Sequence, residues 1–109
     1  MNEEQRGDLR LKAHAKILIM GWEVPGYIRD LSQEGCRLSL TRALDLKREQ
    51  ALAVAVLADP ETGVVPFNFF VQVLWTQADP VFFNLGGPLS PFPGKENELG
   101  LRRLYEFYQ

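Results

Sequence analysis

Short runs of alternating apolar and polar residues, each ended by glycine, proline or a polar turn, recur along most of this 109-residue chain. A period of two puts successive side chains on opposite faces, so each run predicts a β-strand with one buried face. The predicted strands cover residues 11–19, 22–31, 35–40, 51–58, 65–76 and 81–85. The run 51–58 is apolar on both faces, which fits a central strand or a buried helical turn, and its valines favour the strand.

The two ends of the chain do not alternate. Residues 1–10 are polar and predict a mobile N-terminal arm. Residues 86–94 are rich in proline and glycine and predict a loop, and Lys95–Tyr108 carries leucines and tyrosines at helical spacing. Because a very short connection joins the first two strands, they are expected to pair antiparallel. The sequence therefore predicts a mainly β fold, a six-stranded antiparallel β-barrel with a C-terminal α-helix (residues 95–108), in a single domain over residues 1–109.

Composition excludes several classes of function. Cys36 is the single cysteine and His14 the single histidine, so an intramolecular disulfide is excluded and a metal site is not expected. No apolar run approaches the roughly 20 residues of a membrane span, and no signal peptide begins the chain, so a cytoplasmic protein without membrane insertion is expected. The net charge of −2 argues against nucleic-acid polymers as partners. The basic excess falls in residues 1–48, with nine Lys/Arg against seven Asp/Glu, which suits a small anionic ligand.

Two short motifs stand out against this background. Arg6 and Arg10 form an R-x-x-x-R pair at the end of the arm, and Asp30, Ser32 and Gly35 form a D-x-S-x-x-G run between two predicted strands. Each motif alone is a weak signal. In this order, with a strand pair between them, they closely resemble the paired signature of the PilZ family, whose members bind the bacterial second messenger cyclic di-GMP. A later strand ending near a tryptophan, here residues 71–75, extends the resemblance.

The resemblance implies a role for each motif residue. Arg6 and Arg10 would pair with phosphate oxygens and with guanine edges through their planar donor forks. Asp30 would accept hydrogen bonds from guanine N1–H and its amino group, and Ser32 would donate to a phosphate. Gly35 would hold a positive φ in the turn and let the backbone approach the ligand closely. The simpler alternatives are an Asx-type turn for Asp30 and Ser32 and solvated charges for the arginines.

Other distinctive residues fit structural roles. Cys36 is predicted to be a small core residue, and His14 lacks a partner for catalysis. Phe67, Phe69 and Trp75 fall on one face of their strand and are predicted to lie in the core.

The expected function is that of a receptor or adaptor, not an enzyme, that binds cyclic di-GMP and needs no cofactor. Ligand binding would order the arm and present a changed surface to a protein partner in motility, biofilm or polysaccharide control. Gln5 replaces an arginine common in the family, which leaves the number of bound ligands open. The alternatives are a PilZ-fold protein–protein adaptor that does not bind the nucleotide, and a small oligonucleotide-binding barrel.

Overall fold

The computed structural model describes residues 11–61 and 63–109. The strands are β1 (Leu11–Ile19), β2 (Val24–Ser32), β3 (Gly35–Leu40), β4 (Ala51–Val56), β5 (Phe67–Gln72), β6 (Trp75–Ala78), β7 (Phe83–Gly87) and β8 (Leu89–Pro91), followed by the helix α1 (Lys95–Tyr108). The helix covers the predicted residues, and β1 to β4 begin within two residues of the predicted positions. The predicted mobile arm, residues 1–10, lies outside the described residues.

All strand pairs are antiparallel, in the order β6-β7-β3-β2-β1-β4-β5-β8. β5 and β6 follow each other with only Val73 and Leu74 between them, and only Pro88 separates β7 from β8. Residues 67–78 (β5 and β6) and residues 83–91 (β7 and β8) form two long segments. Because β5 pairs with β4 and β8 while β6 pairs with β7, these two long segments run side by side and close the sheet into a barrel. The barrel therefore has six sides, as the sequence predicts, although two of them are broken into two strands each.

Each break has an identifiable cause, and the prediction of one continuous strand over residues 65–76 missed the first of them. The amide of Val73 donates to the carbonyl of Gln50, and the amide of Glu49 donates to the carbonyl of Val73, so this residue leaves the β5 ladder. Pro88 has no N–H to donate, and this missing donor interrupts the strand hydrogen bonds between β7 and β8. The predicted loop 86–94 is consequently wrong in part, because it contains the end of β7 and all of β8.

A close backbone approach marks the same corner of the barrel. A Cβ atom built on Gly87 would lie less than 3.0 Å from the carbonyl oxygen of Gln72. Since a contact this short with backbone cannot be relieved by a rotamer change, the crossing of the two long segments requires glycine here.

Among the described residues, nineteen buried apolar side chains fill the barrel interior, and they come from the strands, Val73, the 41–50 loop and the helix. Phe67, Phe69 and Cys36 lie in this core as predicted. Trp75 does not, because the break at residues 73–74 ends the alternation before it, and its exposed fraction is 43%. The predicted core position of Trp75 is therefore wrong.

The helix α1 covers one side of the barrel with Gly100 and Leu104, both buried. A Cβ on Gly100 would lie 2.6 Å from the Cβ of Phe67, which shows how closely the helix axis approaches β5. Asn97 Oδ1 accepts the Asn68 amide at 2.8 Å and ties the first turn of the helix to the same strand. Within the described part of the chain, no helix has the length and apolar character needed to cross a membrane.

Candidate ligand-binding site

Two irregularities in strand register surround the first residue of the D-x-S-x-x-G motif. The β1–β2 register shifts between Lys12 and Ala15, and the β2–β3 register shifts between Ile28 and Asp30. Bulges of this kind change which face a side chain occupies and are frequent beside functional sites. Beyond them Asp30 lies opposite Lys12 on one side and Arg37 on the other.

Asp30 is buried and pairs with the neighbouring strand. Arg37 Nε donates to Asp30 Oδ2 at 3.0 Å, and the two side chains are 42% and 6% exposed respectively. The next cross-strand pair, Leu31 and Cys36, is in the core. Because adjacent residues of a strand point to opposite faces, Asp30 and Arg37 lie on the outer face of the barrel.

Ser32 closes the β2–β3 hairpin. This is the turn role that the sequence analysis gave as the alternative to a ligand contact. Its hydroxyl accepts the Glu34 amide at 3.3 Å and donates to the Gly35 carbonyl at 3.4 Å. Its own carbonyl accepts a hydrogen bond from the Tyr105 hydroxyl of the helix. A turn role for Ser32 is therefore present, and it does not exclude a ligand contact because Ser32 also borders two clefts.

Gly35 is required for a reason other than the predicted one. Among the glycines that the structure describes, a positive φ occurs at Gly21, Gly63 and Gly94 but not at Gly35, so the prediction of a positive φ at Gly35 is wrong. A Cβ on Gly35 would instead lie less than 3.0 Å from the carbonyl oxygen of Gly87. The glycine lets β7 approach the hairpin, and this approach forms one wall of the site.

Two clefts meet at Ser32. A cleft of about 270 Å³ lies between the hairpin and the corner of the long segments, and is lined by Ser32, Glu34, Gly35, Cys36, Leu74, Trp75, Gly87 and Pro88. A second cleft, of about 540 Å³, lies between the hairpin and the helix, and is lined by Leu11, Ser32, Gln33, Leu89, Leu101, Tyr105 and Gln109. Ligand pockets typically measure about 300–1,000 Å³, so the larger cleft lies within this range and the smaller one is just below it.

Trp75 borders the smaller cleft and Arg37 pairs with Asp30, and the sequence analysis predicted neither of them as a site residue. A Cβ on Gly86 would lie 2.5 Å from the indole of Trp75, so the ring lies directly over this glycine. Gly86 is the cross-strand partner of both Trp75 and Arg37. Register counting was a usable signal for Arg37, since a turn at residues 33–34 that pairs Ser32 with Gly35 also pairs Asp30 with Arg37 two steps along.

Cys36 is a buried residue at the edge of the smaller cleft, and its thiol is unreactive. Burial, with a smaller contribution from the charge of Asp30, raises the pKa of its thiol from 9.0 to about 12. A thiol with this pKa is protonated at neutral pH and is a poor nucleophile.

The structure brings Asp30, Ser32 and Gly35 together at one hairpin. Arg6 and Arg10 lie outside the described residues, so their positions are not compared with the prediction. The chain enters the barrel at Leu11, which pairs with Leu31 and shares the larger cleft with Ser32.

A closed antiparallel barrel with a C-terminal helix packed on it defines a small β-barrel domain. Comparison with known families makes this specific. The family model of the PilZ domain matches residues 2–87, which include both motifs, and the chain belongs to this family.

A solved structure supports the same fold. The chain superposes on the Bacillus subtilis inhibitor of motility (MotI/DgrA) with a TM-score of 0.69 at 16% sequence identity, covering 97% of this chain and 52% of that one. This chain therefore spans about half of that protein. No curated protein matches the sequence.

Proposed function

We propose that this protein is a cyclic di-GMP receptor of the adaptor type, with Arg6, Arg10, Asp30, Ser32 and Gly35 as ligand-binding residues. The observation that carries the proposal is the joint placement of Asp30 and Ser32 at one hairpin, with Trp75 on the far side of the adjoining cleft. PilZ proteins as a family are linked to this second messenger, and the motif residues of the family are present in the chain.

The hairpin and the cleft beside it together offer contacts that suit a guanine nucleotide, with Asp30 on the outer face of the barrel two residues before Ser32, which lines the cleft. Asp30 supplies acceptors for the N1–H and amino group of guanine, and Ser32 supplies a hydroxyl for a phosphate oxygen. The indole of Trp75 is exposed and supported from below by Gly86, so it offers a flat face for a base. Stacking of a base on an aromatic side chain contributes about 1–3 kcal/mol.

The arginines of the arm complete the proposed site. A chain segment extends by at most about 3.6 Å per residue, so the five residues before Leu11 can bring Arg6 and Arg10 to the larger cleft, which Leu11 itself lines. Their guanidinium groups would neutralise the two phosphates of the ligand. Ordering of the arm on binding would change the surface that a protein partner contacts, which is the proposed route to an effect on motility, biofilm or polysaccharide control in the cytoplasm.

One observation favours a second candidate, a protein–protein adaptor that does not bind the nucleotide. Asp30 is buried and already paired with Arg37, which is what a purely structural ion pair requires. The two candidates differ in whether the carboxylate of Asp30 also receives a ligand.

Calorimetric titration with cyclic di-GMP distinguishes them. A receptor should bind cyclic di-GMP and discriminate against linear pGpG and GTP, because the ring holds two phosphates at a fixed separation. Absence of heat up to high micromolar ligand, or equal affinity for GTP, would favour the adaptor that does not bind the nucleotide.

A further inference from the structure

We propose that Arg37 is a specificity-determining residue, which donates to the O6 and N7 edge of the same guanine whose N1–H and amino group are accepted by Asp30. This inference rests on the proposed function and extends it, because Arg37 belongs to neither motif. In this arrangement Asp30 and Arg37 act together on one base and distinguish guanine from adenine.

The geometry starts from one cross-strand row on the outer face of the barrel. Lys12, Asp30, Arg37, Gly86 and Trp75 are successive partners across β1, β2, β3, β7 and β6. Directly opposed residues of an antiparallel sheet share a face, so the carboxylate and the guanidinium are neighbours, and the indole lies over Gly86, the next position in the row.

Arg37 uses only part of its donor set within the protein. Its Nε donates to Asp30 Oδ2 at 3.0 Å, and within residues 11–61 and 63–109 its two terminal nitrogens make no hydrogen bond or ion pair. The side chain is 42% exposed, so these terminal donors face solvent beside the carboxylate. Arginine keeps its charge at every physiological pH, and its planar fork keeps the free donors at a fixed angle to the bonded one.

The edge of guanine matches this arrangement. Guanine presents O6 and N7 as acceptors and, next to O6, N1–H and the amino group as donors. A carboxylate that accepts from N1–H therefore places O6 on one side of itself, where the terminal nitrogens of a bonded arginine can donate to it. Adenine has an amino group in place of O6 and no hydrogen on N1, so it opposes Arg37 with a donor and Asp30 with an acceptor.

The test uses the full chain and three ligands that differ only in the base: cyclic di-GMP, cyclic di-IMP and cyclic di-AMP. The inosine ligand keeps O6, N7 and N1–H and lacks only the amino group, so it reports on the Asp30 contact. In Arg37→Ala we expect affinity for cyclic di-GMP to fall about tenfold to a hundredfold, and its preference over cyclic di-AMP to fall by the same factor. The preference for cyclic di-GMP over cyclic di-IMP should not change.

Arg29→Ala is the matched control. Arg29 is in the same strand as Asp30, and its guanidinium lies 5.4 Å from the ring centre of Phe82, so the substitution removes the same charge without altering the row. Its base preference should equal that of the wild type. The ligand preferences can be measured only on folded protein, so Arg37→Gln serves as a second variant if Arg37→Ala unfolds.

Two results would overturn the inference while leaving the proposed function intact. One is wild-type affinity and preference in Arg37→Ala. The other is loss of the preference for cyclic di-GMP over cyclic di-IMP in the same variant, which would show that Arg37 acts only by orienting Asp30. Failure of the wild-type chain to bind cyclic di-GMP would reject the proposed function and this inference together.

Discussion

The hydroxyl of Tyr105, in the C-terminal helix, donates a hydrogen bond to the backbone carbonyl of Ser32 at the end of β2. The two residues are 73 positions apart in the chain, and the contact attaches α1 to the hairpin that carries the candidate site. Leu101 and Tyr105 also line the larger cleft with Ser32. The position of the helix and the geometry of the hairpin are thereby connected by one polar contact.

Tyr105→Phe should lower the free energy of unfolding by about 1–2 kcal/mol, because the Ser32 carbonyl loses its donor while the ring still packs. Tyr108→Phe, three positions further along the same helix, is the control. It should change stability less, because the Tyr108 hydroxyl makes no hydrogen bond to any described residue. Urea denaturation of the three proteins measures the difference. Equal loss in both variants would show that the Tyr105–Ser32 bond contributes little.

The stability of the fold should fall in alkaline solution because of Cys36. Its thiol has a pKa of about 12 in the fold, raised from 9.0 chiefly by burial. Between these two pKa values the unfolded chain releases the thiol proton and the folded chain keeps it. The contribution of Cys36 to the free energy of unfolding is therefore fully present below pH 9 and decreases as the pH rises towards 12. The slope from this group is about 1.4 kcal/mol per pH unit. Denaturation of Cys36→Ala between pH 8 and about 11 should show a flatter decrease than the wild type; parallel curves would contradict the assignment.

Gly87→Ala should destabilise the barrel by about 3 kcal/mol, the upper end of the usual cost of overpacking, because its Cβ would meet the backbone of Gln72. Gly86→Ala is the informative comparison, since its Cβ would meet the indole of Trp75, a side chain that is free to rotate away. We expect a small change in the melting temperature for Gly86→Ala and a large one for Gly87→Ala. Similar melting temperatures would mean that the corner of the barrel adapts.

Trp75→Ala should weaken cyclic di-GMP binding by about 1–3 kcal/mol if a base stacks on the indole. Trp22 lies outside both clefts and is exposed to a similar extent, so Trp22→Phe should bind normally. The same Trp22→Phe variant leaves Trp75 as the single tryptophan, and its fluorescence should change on titration with the ligand. Unchanged fluorescence at saturating ligand would place the base elsewhere.

Arg10→Ala should reduce affinity for cyclic di-GMP by about 1.5–3 kcal/mol, the value of a charge-assisted hydrogen bond, and leave the melting temperature of the unliganded protein close to that of the wild type. Titration calorimetry and thermal denaturation give the two numbers. Strong destabilisation without ligand would make Arg10 a structural residue. Backbone NMR relaxation of residues 1–10 with and without ligand would then test whether the arm becomes ordered on binding.

Local information in the sequence determined the strand faces, the terminal helix and the D-x-S-x-x-G hairpin. The alternation from Leu11 to Ile19 and from Phe67 to Val71 depends only on a period of two, which each segment carries by itself. The hairpin follows from the residues of its turn, and its register alone is enough to bring Arg37 opposite Asp30.

Tertiary structure decided the features that depend on distant backbone. The segments β5–β6 and β7–β8 lie side by side only when the barrel closes. The hydrogen bonds of Val73 with Glu49 and Gln50 end the β5 ladder and leave Trp75 outside the core. Gly35 and Gly87 are needed because two backbones that are far apart in the chain approach each other there, a requirement that no local pattern of side chains records. The contact from Tyr105 to Ser32 has the same origin, since a hydrogen bond across 73 residues depends on how the helix packs and not on the residues beside either partner.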